Sequence, residues 1–359
     1  MYKRLGVLIA LSVLLIGGIG CGGNQGAGNQ GSGASLKVGL VTDQGGANDG
    51  SFNEAADIGI KRAEEDFGIK RLNPIESLQQ EQYQPNLKTM AGAADLTVGA
   101  GFMMASSMKA VSDQLPDKKF LMVDATIDSP NVLSYVFKEQ EGAYLAGVMA
   151  GTLTKSNKIG FIGGKTGEVI ERFEAGFAAG VASVNLEAAK GLIPVNANSH
   201  GTFVKYIDSF NDQSKAKEAA NILYNSGADI IFHCAAGAGE GLFLAAKEKG
   251  KYAIGVDSDQ AKLLPSYADV ILFSVIKKVD EAVYSAIDSL QKGEFKGGST
   301  ISLGVKENGV GISETLNEAV NEEAKEAVRR AEESVRSGSL TIPDTLDKLL
   351  KFEAPSLKQ

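Results

Sequence analysis

Three apolar stretches of this chain return, in the same order, some 121 to 134 residues further on. Lys37-Val38-Gly39-Leu40-Val41 is echoed by Lys158-Ile159-Gly160-Phe161-Ile162 at an offset of 121. Ala94-Asp95-Leu96 is echoed by Ala228-Asp229-Ile230 at 134, and Phe120-Leu121-Met122-Val123-Asp124 by Ala253-Ile254-Gly255-Val256-Asp257 at 133. One echo arises readily by chance; three in the same order mark a duplicated unit. The chain is therefore expected to form two lobes of like topology instead of one large sheet. Its 359 residues are enough for each lobe to bury a core.

From Leu36 onwards, short apolar runs alternate with amphipathic stretches, the pattern of a parallel sheet with helices on both faces. Strands are expected at Leu36–Asp43, Leu96–Ala100, Phe120–Asp124, Val132–Val136 and Ile159–Gly163. Further strands are expected at Ile193–Val195, Asp229–His233, Ala253–Asp257, Val270–Val275 and Thr300–Gly304. Helices are expected between them, for example Asn53–Glu65, Gly142–Thr152, Ile170–Ala182, Ser214–Asn225 and Gly241–Lys249, with a long charged one over Glu314–Ser337.

The first twenty residues stand outside this pattern. Lys3 and Arg4 precede an apolar run, Leu5 to Gly20, which is short for a membrane span and has the layout of a secretory leader. Gly18-Ile19-Gly20-Cys21 resembles a lipobox, so Cys21 is the expected site of lipidation. Two acyl chains, at about 0.8 kcal/mol per buried methylene, would keep the protein on a bilayer. Residues 22–35 carry no charge and no branched apolar side chain, the composition of a flexible tether. Without Lys3 and Arg4 the basic residues fall from 36 to 34 against 44 acidic ones, a net charge of −10. That balance argues against nucleic acid as a partner. Apart from Cys21 there is one cysteine, Cys234, so no disulfide framework is expected.

Ligands of open α/β sheets bind beyond the carboxyl ends of the strands. Asp124 and Asp257 each end a strand, at equivalent places in the two halves. If the lobes face one another, both carboxylates line the cleft, where they suit sugar hydroxyls. The bland alternative is that each aspartate caps its own loop. The segment from Val41 to Asn53 holds three glycines with Asp43, Gln44, Asn48, Asp49 and Phe52 between a strand and a helix. Much of it has a structural use: Ser51 or Asn53 as a cap, and Asp49 at the positive helix end. Phe52 is harder to explain so, because an aromatic at that helix start faces the strand ends. Asp43 and Gln44 offer an acceptor and an amide, a pair suited to the edge of a heterocycle.

The run Asp43 to Asn53 resembles the signature of the basic membrane protein family, the purine nucleoside receptor-like lipoproteins. The resemblance continues through Gly160-Phe161-Ile162-Gly163-Gly164, Phe173-Glu174-Ala175-Gly176-Phe177 and Ser209-Phe210-Asn211-Asp212. It extends to Ala235-Ala236-Gly237-Ala238-Gly239, Gly255-Val256-Asp257-Ser258-Asp259-Gln260 and Ser274-Val275-Ile276-Lys277, nearly the whole mature chain. It implies a type I periplasmic-binding-protein fold: two similar three-layer α/β/α lobes joined by a three-segment hinge. The lobes would be 36–139 with 274–303, and 140–273 with 304–359, with crossings near Val136–Gly142, Asp257–Phe273 and Leu303–Glu307.

The implied function is a lipid-anchored, extracytoplasmic, monomeric binding protein that delivers nucleosides to an ABC permease, without cofactor, metal or catalytic residues. By matching position, Asp43 and Gln44 would contact the base and Phe52 would stack on it, with Asn48 and Asp49 beside them. Gln44 stands where the best-matched members carry Asn. Phe210, or else Phe173 or Phe232, would supply a second ring. Asp124, Gly237, Asp257 and Lys277 would hold the ribose.

Other motif-like strings lead nowhere. Gly163-Gly164-Lys165-Thr166 lacks the earlier glycine of a phosphate loop, Ile159 standing in its place, and the glycines after Ala236 miss the dinucleotide spacing. His200 and His233, the chain's two histidines, have no metal-ligand spacing. Three alternatives stay open at this level. They are a same-fold binder of a free sugar, a surface nucleosidase working with Asp43, Asp49, Asp124 and Asp257, and a sensory or adhesive use of the module.

Overall fold

The computed structural model describes residues 35–355; the leader and Cys21 lie outside them, as does all of the tether except Ser35. The strands are β1 (Lys37–Thr42), β2 (Lys70–Arg71), β3 (Ile75–Glu76), β4 (Leu96–Ala100), β5 (Lys119–Val123) and β6 (Val132–Phe137). They continue as β7 (Ile159–Gly163), β8 (Val204–Tyr206), β9 (Ile230–Cys234), β10 (Tyr252–Asp257), β11 (Ile271–Lys277), β12 (Thr300–Leu303) and β13 (Val310–Ile312). They form two sheets, in the orders β12-β6-β5-β4-β1-β2 and β13-β11-β10-β9-β7-β8, with β3 also pairing β1.

Position by position the two orders correspond: β1 with β7, β4 with β9, β5 with β10, β6 with β11. The duplicated segments of the sequence thus fall on equivalent strands. The pairs are parallel throughout except at the last one, where β13 runs antiparallel to β11 while β12 runs parallel to β6.

Helices cover both faces. In the first half lie α1 (Phe52–Phe67), α2 (Tyr83–Ala93) and α3 (Ala105–Gln114). The second half begins with α4 (Glu139–Leu153), α5 (Glu168–Val184), α6 (Leu186–Ala189), α7 (Gln213–Asn225), α8 (Glu240–Lys249) and α9 (Gln260–Leu263). The chain ends with α10 (Val279–Gln291), α11 (Glu322–Arg336) and α12 (Leu346–Leu349). α1 packs on α10, α2 on α3, α7 on α8, and α4 on α5 and α11. The apolar stripes of α2 and α3 bury one face of the first sheet, and those of α7 and α8 one face of the second. A single larger core runs between the remaining faces of both sheets. This is the α/β two-lobe fold with parallel sheets that the repeats imply.

Three expectations need correction. Ile193–Val195 is not a strand; the edge position is taken by β8, which pairs Phe161 with Val204, while Pro194 cannot donate to a ladder. The long charged helix starts at Glu322, where the Asn321 side chain accepts from Ala324 N. Residues from Glu314 to Val320 form loop bonds instead, such as Thr315 Oγ1 to Asp259 Oδ2 at 2.6 Å. Finally, Asp257–Phe273 is not a crossing between sheets, because β10 and β11 are neighbours in the second sheet. That sheet holds the chain through Lys277, pairing it with Val310, so the crossing follows Lys277 and not Phe273.

Candidate functional site

Both halves turn off their third strand at an aspartate with left-handed backbone: Asp124 after β5 at φ 74° and Asp257 at the end of β10 at φ 65°. Few side chains tolerate that region, and aspartate is among those that do. The two carboxylates meet on one cavity between the lobes. Phe52 and Phe102 line it from the first half, Phe173 and Phe210 from the second.

Lys277, at the end of β11, is the hub of its charge. Its Nζ lies 2.5 Å from Asp124 Oδ2 and 2.9 Å from Glu139 Oε1. Arg172 of α5 closes the chain, its Nε 2.5 Å from Glu139 Oε2. The Lys277 ammonium also sits 5.0 Å from the Phe52 ring centre and 5.1 Å from that of Phe137, favourable cation–π distances. Burial alone would pull the ammonium down, but Asp124, Glu139 and Asp257 outweigh it and hold Lys277 above its ordinary value. Burial likewise pushes Glu139 up, and Lys277 with Arg172 overcomes it, leaving that carboxylate below its usual range. Burial prevails at the cavity wall. It raises Asp43, Asp124 and Asp257 each to about 6.

Two acceptors on this wall have no partner among the described residues. Asn53 donates its Nδ2 to Asp43 Oδ1 at 3.0 Å, which fixes the amide and leaves Asn53 Oδ1 bare. Asp124 gives Oδ2 to Lys277 and keeps Oδ1 unpaired. A buried acceptor left so costs about 1–3 kcal/mol. The cavity is thus complementary to a ligand that brings hydrogen-bond donors to its polar end and a flat face to its rings. The lobes touch around it: Ser51 Oγ donates to Asp257 Oδ2 at 2.5 Å, Gln260 Nε2 to Gly50 O at 3.1 Å, and Asn211 Nδ2 to Gln44 O at 3.0 Å.

Comparison with known proteins gives this geometry a family. Residues 36–345 match the family described as "Bmp: ABC transporter substrate-binding protein PnrA-like". The chain belongs to that family. This PnrA-like chain is accordingly a solute-binding protein of an ABC transporter, with a permease as partner, and not an enzyme. It is 35% identical to a CD4+ T-cell-stimulating antigen of Listeria innocua, over 95% of this chain and 99% of the relative. It is 34% identical to the ABC transporter nucleoside-binding protein BmpA of Lactococcus lactis, over 96% and 99%. Among solved structures, a solute-binding protein of an Aeropyrum pernix ABC transporter system superposes with a TM-score of 0.75 at 26% identity, covering 88% of this chain and 96% of that one. A glucose-galactose binding protein of Geobacillus stearothermophilus, at 16% identity and a TM-score of 0.57 over 78% and 97%, shares the fold.

Of the residues singled out in the sequence of this PnrA-like protein, Asp43, Phe52, Asp124, Phe173, Phe210, Asp257 and Lys277 come together on the cavity. Gln44, Asn48, Asp49 and Gly237 are not on its wall. Asn48 is exposed. Asp49 caps α1, accepting from the backbone N–H of Ser51, Asn53 and Glu54 at 2.9–3.1 Å, the structural use weighed for it. Gly237 faces Asp49, whose carbonyl oxygen would lie 3.4 Å from an added Cβ; the lobes meet there. Phe232 is wholly buried among Phe161, Phe173 and Phe177.

Sequence reasoning missed Asn53 as a wall residue, and Phe102, Glu139 and Arg172 entirely. Phe102 was within reach, because an offset of 134 carries it onto Ala236, which lines the same cavity.

Proposed function

We propose that this PnrA-like protein captures nucleosides, purine nucleosides foremost, outside the cytoplasmic membrane and hands them to its permease. One observation carries the reading: a single cavity combines phenyl groups from both lobes with the unpaired acceptors Asp124 Oδ1 and Asn53 Oδ1. Rings stack on a base for about 1–3 kcal/mol each with little choice among bases, and a purine offers the larger face. Selectivity comes from the polar wall, since buried acceptors built for hydroxyls go unpaired with ligands that lack them. The Lactococcus relative named as a nucleoside-binding protein points the same way. In this reading the leader and Cys21 place the protein on the outer membrane face by its acyl chains, and binding shifts an open–closed equilibrium that the permease reads.

A thermal-shift series with adenosine, guanosine, inosine, cytidine and uridine tests the ligand class, with ribose as the control. Stabilisation by nucleosides and not by ribose is expected. Stabilisation by ribose as large as by its nucleosides, or none by any nucleoside, would remove nucleosides as the substrate.

A further inference from the structure

Gln260 begins α9 away from the cavity wall, yet nearly all of it is buried, 1% exposed. Each polar atom of its side chain has a partner. Oε1 accepts from Val256 N at 2.9 Å and stands 3.0 Å from His233 Nε2, while Nε2 donates to Gly50 O across the cleft at 3.1 Å. The Gln260 backbone N–H donates to Ser274 Oγ at 3.1 Å, which anchors the residue to β11.

The amide has one workable orientation. Val256 N–H is a donor and needs an oxygen, so the NH2 group must face Gly50 O. His233 enforces the same choice. It lies at 0% exposure on β9, with its ring edge-on to Phe243 at 5.1 Å. Burial lowers its pKa to about 4, so the imidazole is neutral, and its Nε2 proton points to Gln260 Oε1. Gly239 makes room for it; a Cβ there would come within 1.9 Å of the ring.

Gly50 is not a random acceptor. The next residue, Ser51, donates to Asp257 Oδ2 across the same gap, and after it comes Phe52 on the cavity wall. Contact with Gln260 therefore seats the loop that aims Phe52. Opening the cleft breaks the bond on the first-lobe side only, because Gln260 stays fixed by Val256, His233 and Ser274 in the second.

We propose that Gln260 is the latch of the closed cleft, and that His233 is a positioning residue that keeps its amide turned toward Gly50 without touching the ligand. A latch made only on closure acts on escape more than on entry. The proposal rests on the nucleoside reading for its ligand, though not for its geometry.

Stopped-flow binding of the nucleoside that stabilises the protein most gives both rate constants. Gln260→Ala should speed dissociation about 3- to 10-fold, the size of one lost hydrogen bond, with association changed less than about twofold. His233→Phe alone should also speed dissociation, but in the Gln260→Ala background it should add nothing. A merely structural histidine would lower thermal stability and act equally in both backgrounds, which would overturn the positioning role. Gln260→Glu keeps the acceptor and removes the donor, and serves if the alanine variant folds poorly. If the wild type binds no nucleoside, the ligand reading has failed separately. The latch is then judged by spin labels at exposed Lys88 and Lys249 in ligand-free protein. Loss of the short-distance population in Gln260→Glu supports it; identical distributions overturn it.

Discussion

Asp124 gives Oδ2 to Lys277 and leaves Oδ1 unpaired at the cavity. Asp124→Asn preserves the shape and removes the charge, and Lys277 keeps Glu139 as an anion. The fold should survive with a small change in melting temperature. Hydrogen bonds to a charged group contribute about 1.5–3 kcal/mol, so nucleoside affinity should fall roughly 10- to 150-fold by calorimetric titration. An unchanged affinity would mean that Asp124 faces no ligand group. This residue was legible because the duplication gave it a twin, Asp257. Glu139 and Arg172 were not, since neither sits in a repeated motif and their roles depend on which helices meet. Lys277 was found by resemblance, but its second anion, Glu139, lies 138 positions earlier, beyond the reach of any local pattern. Asp49 shows the converse: an acid in the richest motif of the sequence turned out to cap α1.

At the scale of elements, α4 and α5 cross with their backbones almost touching. A Cβ on Gly180 would lie 2.1 Å from the Tyr144 carbonyl oxygen, and one on Gly147 2.2 Å from that of Phe177. Main chain cannot step aside as a side-chain tip can. Gly180→Ala gains about 1 kcal/mol in helix propensity but forces the helices apart, at a cost of typically 1–3 kcal/mol and sometimes more. Overpacking should win, lowering the melting temperature by several degrees. Gly92 near the end of α2 is the control: it has nothing within 4 Å of an added Cβ, so Gly92→Ala should leave stability unchanged or raised. If both variants melt alike, the close crossing is not a constraint. The strands and most helices were readable because their apolar periods are strong. The edge strand β8 was not, since Val204–Tyr206 is three residues long and its pairing, not its pattern, makes it a strand. Asn321 offered a readable cap for α11, overlooked because the charge run begins earlier.

The molecule as a whole is held across its cleft by charge that prefers not to be buried. Asp124, Asp257 and Glu139 act on Lys277 there, Arg172 pairs with Glu139, and Asp43 adds a further acid beside Asp124 and Asp257. In the closed form burial raises Asp43, Asp124 and Asp257 to about 6, whereas in an open, hydrated cleft each relaxes toward an ordinary aspartate value near 3.9. The sign then follows from linkage. A pKa raised on closure means that the closed form binds more protons, so its advantage is complete below about 4 and is lost as pH rises through about 6. Between pH 7.5 and pH 5 acidification should therefore close the ligand-free protein, seen by small-angle scattering as a smaller radius of gyration. On the proposed reading, a bound nucleoside would take the place of those protons at neutral pH, its donors facing the wall oxygens as the lobes meet. Opening on acidification would show that the carboxylates do not govern the cleft.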